Sequence, residues 1–345
     1  MTISTSVLRS TPASDRPVPI PRASDSAVLV LRALGLGDAL TAVPALRGIR
    51  RAWPDRWVLL AAEAGIGGWL RRLGLVDEVL DTAGLSHLEW PPPVISGTAG
   101  HLAVNLHGRG PQSHRLLAAT APDRLIAFRQ PLAAHLVGPA WRSQEHEVHR
   151  WCRLIASTGE PCTADDLRLP STQQRATEIL LHPGAAAPAR RWPPDRWARV
   201  AAELTSAGHP VTLTGSAAEG ALCSQIVSMA GDLGPVEGRL ANTAGGLLLP
   251  ELAARVSGAR LLVCGDTGVG HLATAYGTPS VLLFGPTSPR RWGPVIDTDL
   301  HVVLWRGRDE RPGDPHGSEL DPALAAIDVD DVLVAVRTLL GGDHS

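Results

Sequence analysis

Apolar and polar positions run in blocks along the chain, and the blocks recur in a regular order. Ala27–Leu31 is a short, continuous apolar run, the pattern of a strand buried on both faces of a parallel sheet. Gly35-Leu-Gly-Asp38 follows, and Ala39–Trp53 has apolar residues at helical spacing. Trp57–Ala61, Val76–Leu80 and Leu102–Leu106 read as three more strands, and a helix rich in Trp, Arg and His ends near Arg153–Ser157. After a polar stretch, Pro161–Thr172, the pattern restarts. Strand Ile179–His182 leads to helix Pro194–Ala207, with Trp197, Val200, Ala201 and Leu204 on its apolar face. Strand Val211–Thr214, helices Glu219–Ala230 and Leu249–Val256, strand Ala259–Cys264, helix His271–Tyr276 and strand Ser280–Phe284 complete the series. Arg306–Glu319 reads as a loop, and Asp328–Leu340 as a terminal helix with Val329, Val332, Val336 and Leu339 on one face.

Strands alternating with helices imply βαβ units and parallel sheets. Two successive series predict an α/β protein of two Rossmann-like domains facing a cleft. The expected division is a disordered tail at 1–24, a first domain at 25–160, a linker at 161–178, a second domain at 179–318, and a terminal helix and tail at 319–345. A chain of 345 residues has room for two such domains. In doubly wound sheets, ligands sit beyond the carboxyl ends of the strands.

Composition narrows the functional classes. Hydrophobic residues make up 44% and charged residues 19%, enough apolar material for two cores. Net charge is −2 and the basic residues are spread along the chain, which argues against a nucleic-acid or membrane-surface protein, whose binding needs a basic concentration. All 32 strongly basic residues are Arg. A cation that binds phosphate here must therefore be Arg, His or a backbone N–H, and Arg offers a planar, two-pronged donor. Cys152, Cys162, Cys223 and Cys264 show no C-x-x-C spacing and no His cluster, so neither a disulfide framework nor a zinc site is expected. Residues 1–24 lack the apolar run of a signal peptide, and no stretch reaches 18 apolar residues. The expected location is the cytoplasm, with room for peripheral attachment at the inner face of the membrane.

Five loops carry candidate chemistry. Gly265–His271 (GDTGVGH) follows a strand and opens a helix. Its three glycines would let the backbone approach an anion, with Thr267 and His271 as donors. It also reads as a plain strand–helix turn with Asp266 as its cap. His182–Pro194 holds the pair Arg190 and Arg191, which suits a diphosphate or a solvated loop. In Leu213–Glu219 (LTGSAAE), Glu219 could accept from a ribose hydroxyl or serve the helix dipole. In Leu34–Pro44, Asp38 reads as an N-cap or as a general base facing the cleft. The G-x-G-x-x-G pattern is not completed there, because position 40 is Leu, which weakens a dehydrogenase reading. His107–His114, with His107 and Arg109, could touch an acceptor or be an ordinary loop.

Taken in order, LRALGLGDALTAVP (31–44), HPGAAAPARRWP (182–193), LTGSAAE (213–219), CGDTGVGHLA (264–273) and Phe284-Gly-Pro-Thr287 resemble glycosyltransferase family 9, the ADP-heptose-dependent heptosyltransferases and their relatives. The resemblance implies a GT-B architecture and inverting, metal-independent transfer of a sugar, heptose or a related one. The acceptor, a glycan or glycoside hydroxyl, would bind the first domain and the nucleotide-diphosphate donor, an ADP-sugar by preference, the second. It implies Asp38 as base, Arg190 (with Arg191 adjacent) on the diphosphate where the family often has Lys, and Glu219 on the ribose. Asp266, Thr267, Gly268 and His271 would contact sugar and phosphate. His107 and Arg109 would be the acceptor-side candidates. No cofactor and no metal are expected. Two other functions fit the same loops: a nucleotide-sugar binding module without transfer, and a GT-B-fold nucleotide-sugar epimerase.

Overall fold

The computed structural model describes residues 26–90, 100–171, 173–236 and 238–341. The expected tail at 1–24 lies outside the described residues.

The first sheet is built from β1 (Ala27–Leu31), β2 (Trp57–Ala62), β3 (Glu78–Asp81), β4 (His101–Asn105) and β5 (Arg124–Ile126), all parallel, in the order β3-β2-β1-β4-β5. Its helices are α1 (Leu36–Thr41), α2 (Val43–Ala52), α3 (Ala64–Arg72), α4 (Pro111–Ala118) and α5 (Glu147–Ala156). The second sheet holds β6 (Ile179–His182), β7 (Val211–Leu213), β8 (Leu240–Asn242), β9 (Leu261–Gly265), β10 (Ser280–Phe284) and β11 (His301–Trp305). It too is parallel, ordered β11-β10-β9-β6-β7-β8. Its helices are α6 (Pro194–Ser206), α7 (Gly220–Leu233), α8 (Leu249–Gly258), α9 (Gly268–Tyr276), α10 (Pro289–Trp292), α11 (Pro322–Ala325) and α12 (Val329–Gly341).

The two-domain α/β expectation is met, and β1, β6 and β10 fall on their expected residues. The predicted helix 39–53 starts earlier, at Leu36, and breaks at Ala42, just ahead of Pro44 at the start of α2. The strand expected at 76–80 is displaced to Glu78–Asp81. Leu75 and Val76 turn into the core instead, and Asp77 pairs its backbone and carboxylate with Val58. β5, β8 and β11 lie at or next to sheet edges and are short or half-buried, so their apolar signal is weak.

Each sheet reverses its strand order once, between β1 and β4 in the first and between β6 and β9 in the second. At such a reversal, neighbouring loops diverge and leave a crevice beyond the carboxyl ends of the strands. The loops after β1 and β4 carry Asp38, His107 and Arg109; those after β6 and β9 carry Arg190, Arg191, Asp266 and Thr267.

The two crevices are pressed together. A Cβ on Gly268 would stand 2.8 Å from Leu36 Cβ and 2.9 Å from Gly37 N, so α1 and α9 approach backbone to backbone. One buried apolar cluster runs from Val28, Leu46 and Trp151 through Leu180, Leu262, Leu272 and Phe284, and so joins both sheets. A second cluster, with Trp192, Trp197, Val332 and Val336, seals the far side of the second sheet and includes the predicted α12 face. The connecting stretch is packed rather than free: Leu167 and Leu169 are buried, and Leu169 N–H donates to Ala275 O at 2.7 Å.

Candidate active site

A cavity of about 600 Å³ opens between the domains. Asp38 and Gly35–Gly37 line it from the first domain; His182, Gly184, Arg190, Glu219, Asp266–Val269, His271, Arg291, Trp292 and His316 line it from the second. All the donor-side residues expected from the sequence, except Arg191, are on that wall.

Asp38 is not an N-cap. Gly35 holds the cap position and Asp38 sits in the first turn of α1, its side chain 31% exposed and on the cavity wall. Its Oδ1 accepts from Arg32 Nη2 at 3.2 Å, and its carbonyl accepts from Arg32 Nε at 2.9 Å. Arg32 is 2% exposed; it also donates to Thr41 Oγ1 and Leu106 O and lies over the Trp151 ring, 4.8 Å from its centroid. Burial lowers its pKa to about 10, with Asp38 acting in the opposite sense, so the guanidinium stays charged at neutral pH. Sequence reasoning passed over Arg32; a lone Arg at the end of an apolar strand, where a buried charge needs a partner, was the available signal.

His107 lies close enough to feel both groups. Burial and Arg32 lower its pKa against the pull of Asp38, and its Nδ1 is buried without a hydrogen-bond partner among the described residues. Arg109 is exposed and touches the neighbouring loop through its carbonyl, which accepts from Gln130 Nε2 at 2.5 Å. Neither residue lines the cavity.

On the opposite wall, Arg190 Nη1 donates to Asp266 O at 3.2 Å and stands 3.9 Å from Asp266 Oδ2. Arg191 turns away and donates from Nε to Ala185 O at 2.8 Å, which pins the loop. The structure thus separates the two arginines. Arg291, on α10, also lines the cavity and was not singled out from the sequence.

Asp266 does not cap α9; Thr267 holds the cap position, without a side-chain bond. The Asp266 carboxyl is 9% exposed, and burial raises its pKa despite Arg190, a hydrogen bond from Thr287 and Arg291, with Asp38 pushing the same way as burial. Thr267 Oγ1 is buried beside the Cys264 thiol.

The three glycines of this turn serve packing. A Cβ on Gly265 would meet Arg190 O at 3.3 Å, one on Gly268 would meet Leu36, and one on Gly270 would meet Leu282 at 3.1 Å and Cys264 Sγ at 3.3 Å. The expectation that they clear space for a ligand is corrected to this extent: protein atoms fill the spaces their missing side chains leave.

His271 is one turn into α9, against Gly37, and its ring is 6.0 Å from Trp292. Burial, with His146 and Arg32, lowers its pKa to about 4, so it is neutral at physiological pH. His146 joins the domains: its Nδ1 accepts from Val148 N–H, and its Nε2 donates to Gly293 O at 2.9 Å.

The two carboxylate oxygens of Glu219 face different ways. Its Oε2 accepts from Ser216 N–H at 2.7 Å and Ser216 Oγ at 2.9 Å, a capping box on the 3-10 turn Ala217–Glu219 that leads into α7. Its Oε1 rests against Gly184 on the cavity wall, where a Cβ would overlap it. Among the described residues no group of three or more His, Cys, Asp or Glu is arranged to hold a metal ion, and no helix is long and apolar enough to cross a membrane.

Two parallel α/β domains that meet at their switch points, with the cavity between them, define a GT-B-like architecture. The description of glycosyltransferase family 9 (heptosyltransferase) matches residues 137–312, just over half of the chain, and the protein belongs to this family. It is 30% identical over 169 residues to lipopolysaccharide heptosyltransferase 3 of Escherichia coli, covering 48% of this chain and 47% of that protein. It is 28% identical over 308 residues to lipopolysaccharide heptosyltransferase 1 of Pseudomonas aeruginosa, covering 80% of this chain and 83% of that one. The chain thus spans about half the length of the first relative and most of the second. The solved structure of Escherichia coli ADP-heptose lps heptosyltransferase II superposes with a TM-score of 0.70 at 19% identity, over 92% of this chain and all of that one.

Proposed function

We propose that this chain is an inverting, metal-independent glycosyltransferase that moves a sugar, heptose or a close relative, from a nucleoside-diphosphate donor to a hydroxyl of a glycan or glycoside acceptor. The observation that carries the reading is one cavity with a partly exposed carboxylate, Asp38, on its first-domain wall and two guanidiniums, Arg190 and Arg291, on its second. ADP-heptose is the favoured donor, because the solved relative is named for it.

In this reading Asp38 takes the proton of the acceptor hydroxyl. That oxygen attacks the anomeric carbon from the side opposite the diphosphate; the new C–O bond forms as the bond to the diphosphate breaks. Arg190, Arg291 and the N-terminus of α9 meet the charge that grows on the departing diphosphate. Glu219 Oε1 accepts from a ribose hydroxyl, Asp266 and Thr267 address the sugar, and His271 donates as a neutral imidazole. Arg32 keeps Asp38 aimed at the cavity, and His107 stands beside the pair on the acceptor side.

The test is transfer and hydrolysis with ADP- and UDP-sugars, with thermal shift against a panel of nucleoside diphosphates. A stabilising shift by ADP together with sugar transfer that resists chelators supports the reading. Tight nucleotide binding with neither transfer nor hydrolysis would make the chain a binding module, and acceptor-free interconversion of the nucleotide sugar would make it an epimerase.

A further inference from the structure

The two sheets end in four edge strands, β3 and β5 in the first and β8 and β11 in the second. A bare edge invites pairing with another chain, and shortness or charge is the usual protection. β5 and β8 have three residues each, and β3 begins with Glu78 and ends with Asp81. β11 lacks both protections. It has five residues, His301-Val-Val-Leu-Trp305, with no Pro, Asp, Glu or Arg among them. Its one imidazole, His301, is buried and hydrogen-bonded to Ser280 Oγ at 2.8 Å. Among the described residues no strand pairs with the outer side of β11.

The helix beside this edge carries an apolar side chain facing outward. α12 packs Val329, Val332 and Val336 into the second apolar cluster, where Val302 and Leu304 of β11 join them. Val334, on the other side of the helix, is 55% exposed. Between α12 and β11 runs a groove of about 380 Å³, lined by Val302 and Leu304 from the strand and by Val334, Ala335 and Thr338 from the helix. Residues three and four apart share a helix face, so Asp330, Asp331, Val334, Arg337 and Thr338 make one strip. The strip is symmetric about Val334. Asp331 and Arg337 lie three residues to either side of it, and Asp330 and Thr338 four. Asp331 already accepts from Arg306 Nη2 at 2.8 Å and from Asp328 N–H at 3.1 Å, which leaves its carboxylate capacity for a further donor.

Acid at one end, an apolar centre and a base at the other make a strip that is complementary to itself when turned end for end. We infer that the face formed by β11 and α12 is a two-fold interface with a second copy of this chain. β11 pairs antiparallel with its counterpart, and the two copies of α12 lie antiparallel across the same axis. The axis passes beside Val334, so the two copies of this side chain meet there. Asp331 then faces the partner's Arg337, and Asp330 faces the partner's Thr338. The bare strand edge gains ladder hydrogen bonds and the groove is covered. A two-fold contact uses each edge once, so it closes as a dimer and not as a fibre. The axis crosses the sheet, so the carboxyl ends of the two second-domain sheets point opposite ways and each protomer keeps its own cavity. The inference does not depend on the transfer reading; it would hold for a nucleotide-sugar binding module as well.

The test is sedimentation velocity of the full chain across micromolar concentrations. Wild type should sediment as a dimer. Val334→Arg sets like charges together on the axis and should raise the dissociation constant about tenfold or more. Leu248→Arg, at an exposed leucine beside α8, should associate as wild type does. Asp331→Arg and Arg337→Asp should each sediment as monomers, because each sets like charge against like. Their equimolar mixture should form a one-to-one heterodimer, because the charges are then opposite at both contacts. Circular dichroism checks folding, and Val334→Arg and Arg337→Asp decide the matter if Asp331→Arg does not fold. A monomeric wild type, dimerisation of Val334→Arg as tight as that of wild type, or a mixture of the two folded charge variants that stays monomeric would overturn the inference.

Discussion

After β1 the chain passes through Gly35 into α1 and carries Asp38 on the first turn; after β9 it passes through Asp266 and Thr267 into α9. Both corners place an aspartate where a buried strand gives way to a helix at a sheet's switch point, and both aspartates line one cavity. Their surroundings differ. Asp38 is 31% exposed, with a buried guanidinium bonded to it from behind. Asp266 is 9% exposed, its nearest guanidinium is 3.9 Å away, and burial pushes its pKa up. A carboxylate that takes a proton from an incoming hydroxyl must itself be ionised and reachable. The first corner is the more reachable of the two, with Arg32 bonded to its carboxylate. The second is better suited to hold a sugar hydroxyl than to remove a proton.

The largest expected effect breaks that contrast directly. Asp38→Asn should lower the rate of transfer by about 10²–10⁴-fold, the usual contribution of a general base, with nucleotide binding little changed. Single-turnover rates beside ADP titrations check this. If Asp266→Asn cost as much in rate as Asp38→Asn while binding held, the roles assigned to the corners would be reversed.

Next come the arginines behind the second corner. Arg190→Ala should weaken ADP binding by roughly ten- to a hundredfold, the size of a lost charge-assisted pair, whereas Arg191→Ala should leave it within about threefold. Calorimetric titration of both variants separates them; equal losses would mean that Arg191 swings into the cavity when ligand binds.

A smaller effect concerns the joint between the corners. Gly268→Ala places a methyl against Leu36 and the Gly37 backbone, so it should destabilise the chain by about 1–3 kcal/mol, the usual cost of overpacking. Urea unfolding measures it. Gly35→Ala, at the head of α1 with open space at its Cβ, should cost much less.

The smallest effect is in the pH dependence of stability. Because the folded-state pKa of Asp266 is raised, the folded chain holds a proton that the unfolded chain releases. Stability from this group is therefore greatest below the ordinary aspartate range and falls as pH rises through its raised folded value. Asp266→Asn should remove that fall, so the variant gains on wild type at neutral pH and loses the advantage in acid. Denaturant unfolding across pH 3–8 reads the difference.

Much of the fold was legible because it rests on local patterns. Continuous apolar runs marked β1, β6 and β10, which are buried on both faces, and apolar spacing marked α6 and α12. Edge strands such as β11 alternate only weakly and were missed. The candidate site was legible as a set of loops, since Gly, Asp and Arg at strand ends stand out in the sequence. The division of labour within them was not. Arg190 and Arg191 are neighbours in the chain, and only the turn of the backbone sends one to the cavity and the other to Ala185 O. The burial of Arg32 and its bond to Asp38 require β1, α1, α5 and the β4 loop to be assembled around it.

The sequence by itself determined two α/β units, their strand–turn–helix corners, and the family to which those corners belong, because each is written in residues a few positions apart. The tertiary structure decided what the glycines of the Gly265–His271 turn pack against, which aspartate is the more exposed, and which of the two adjacent arginines lines the cavity. Those properties depend on which atoms, remote in the chain, come to lie within a few ångströms, and on how much water is left between them.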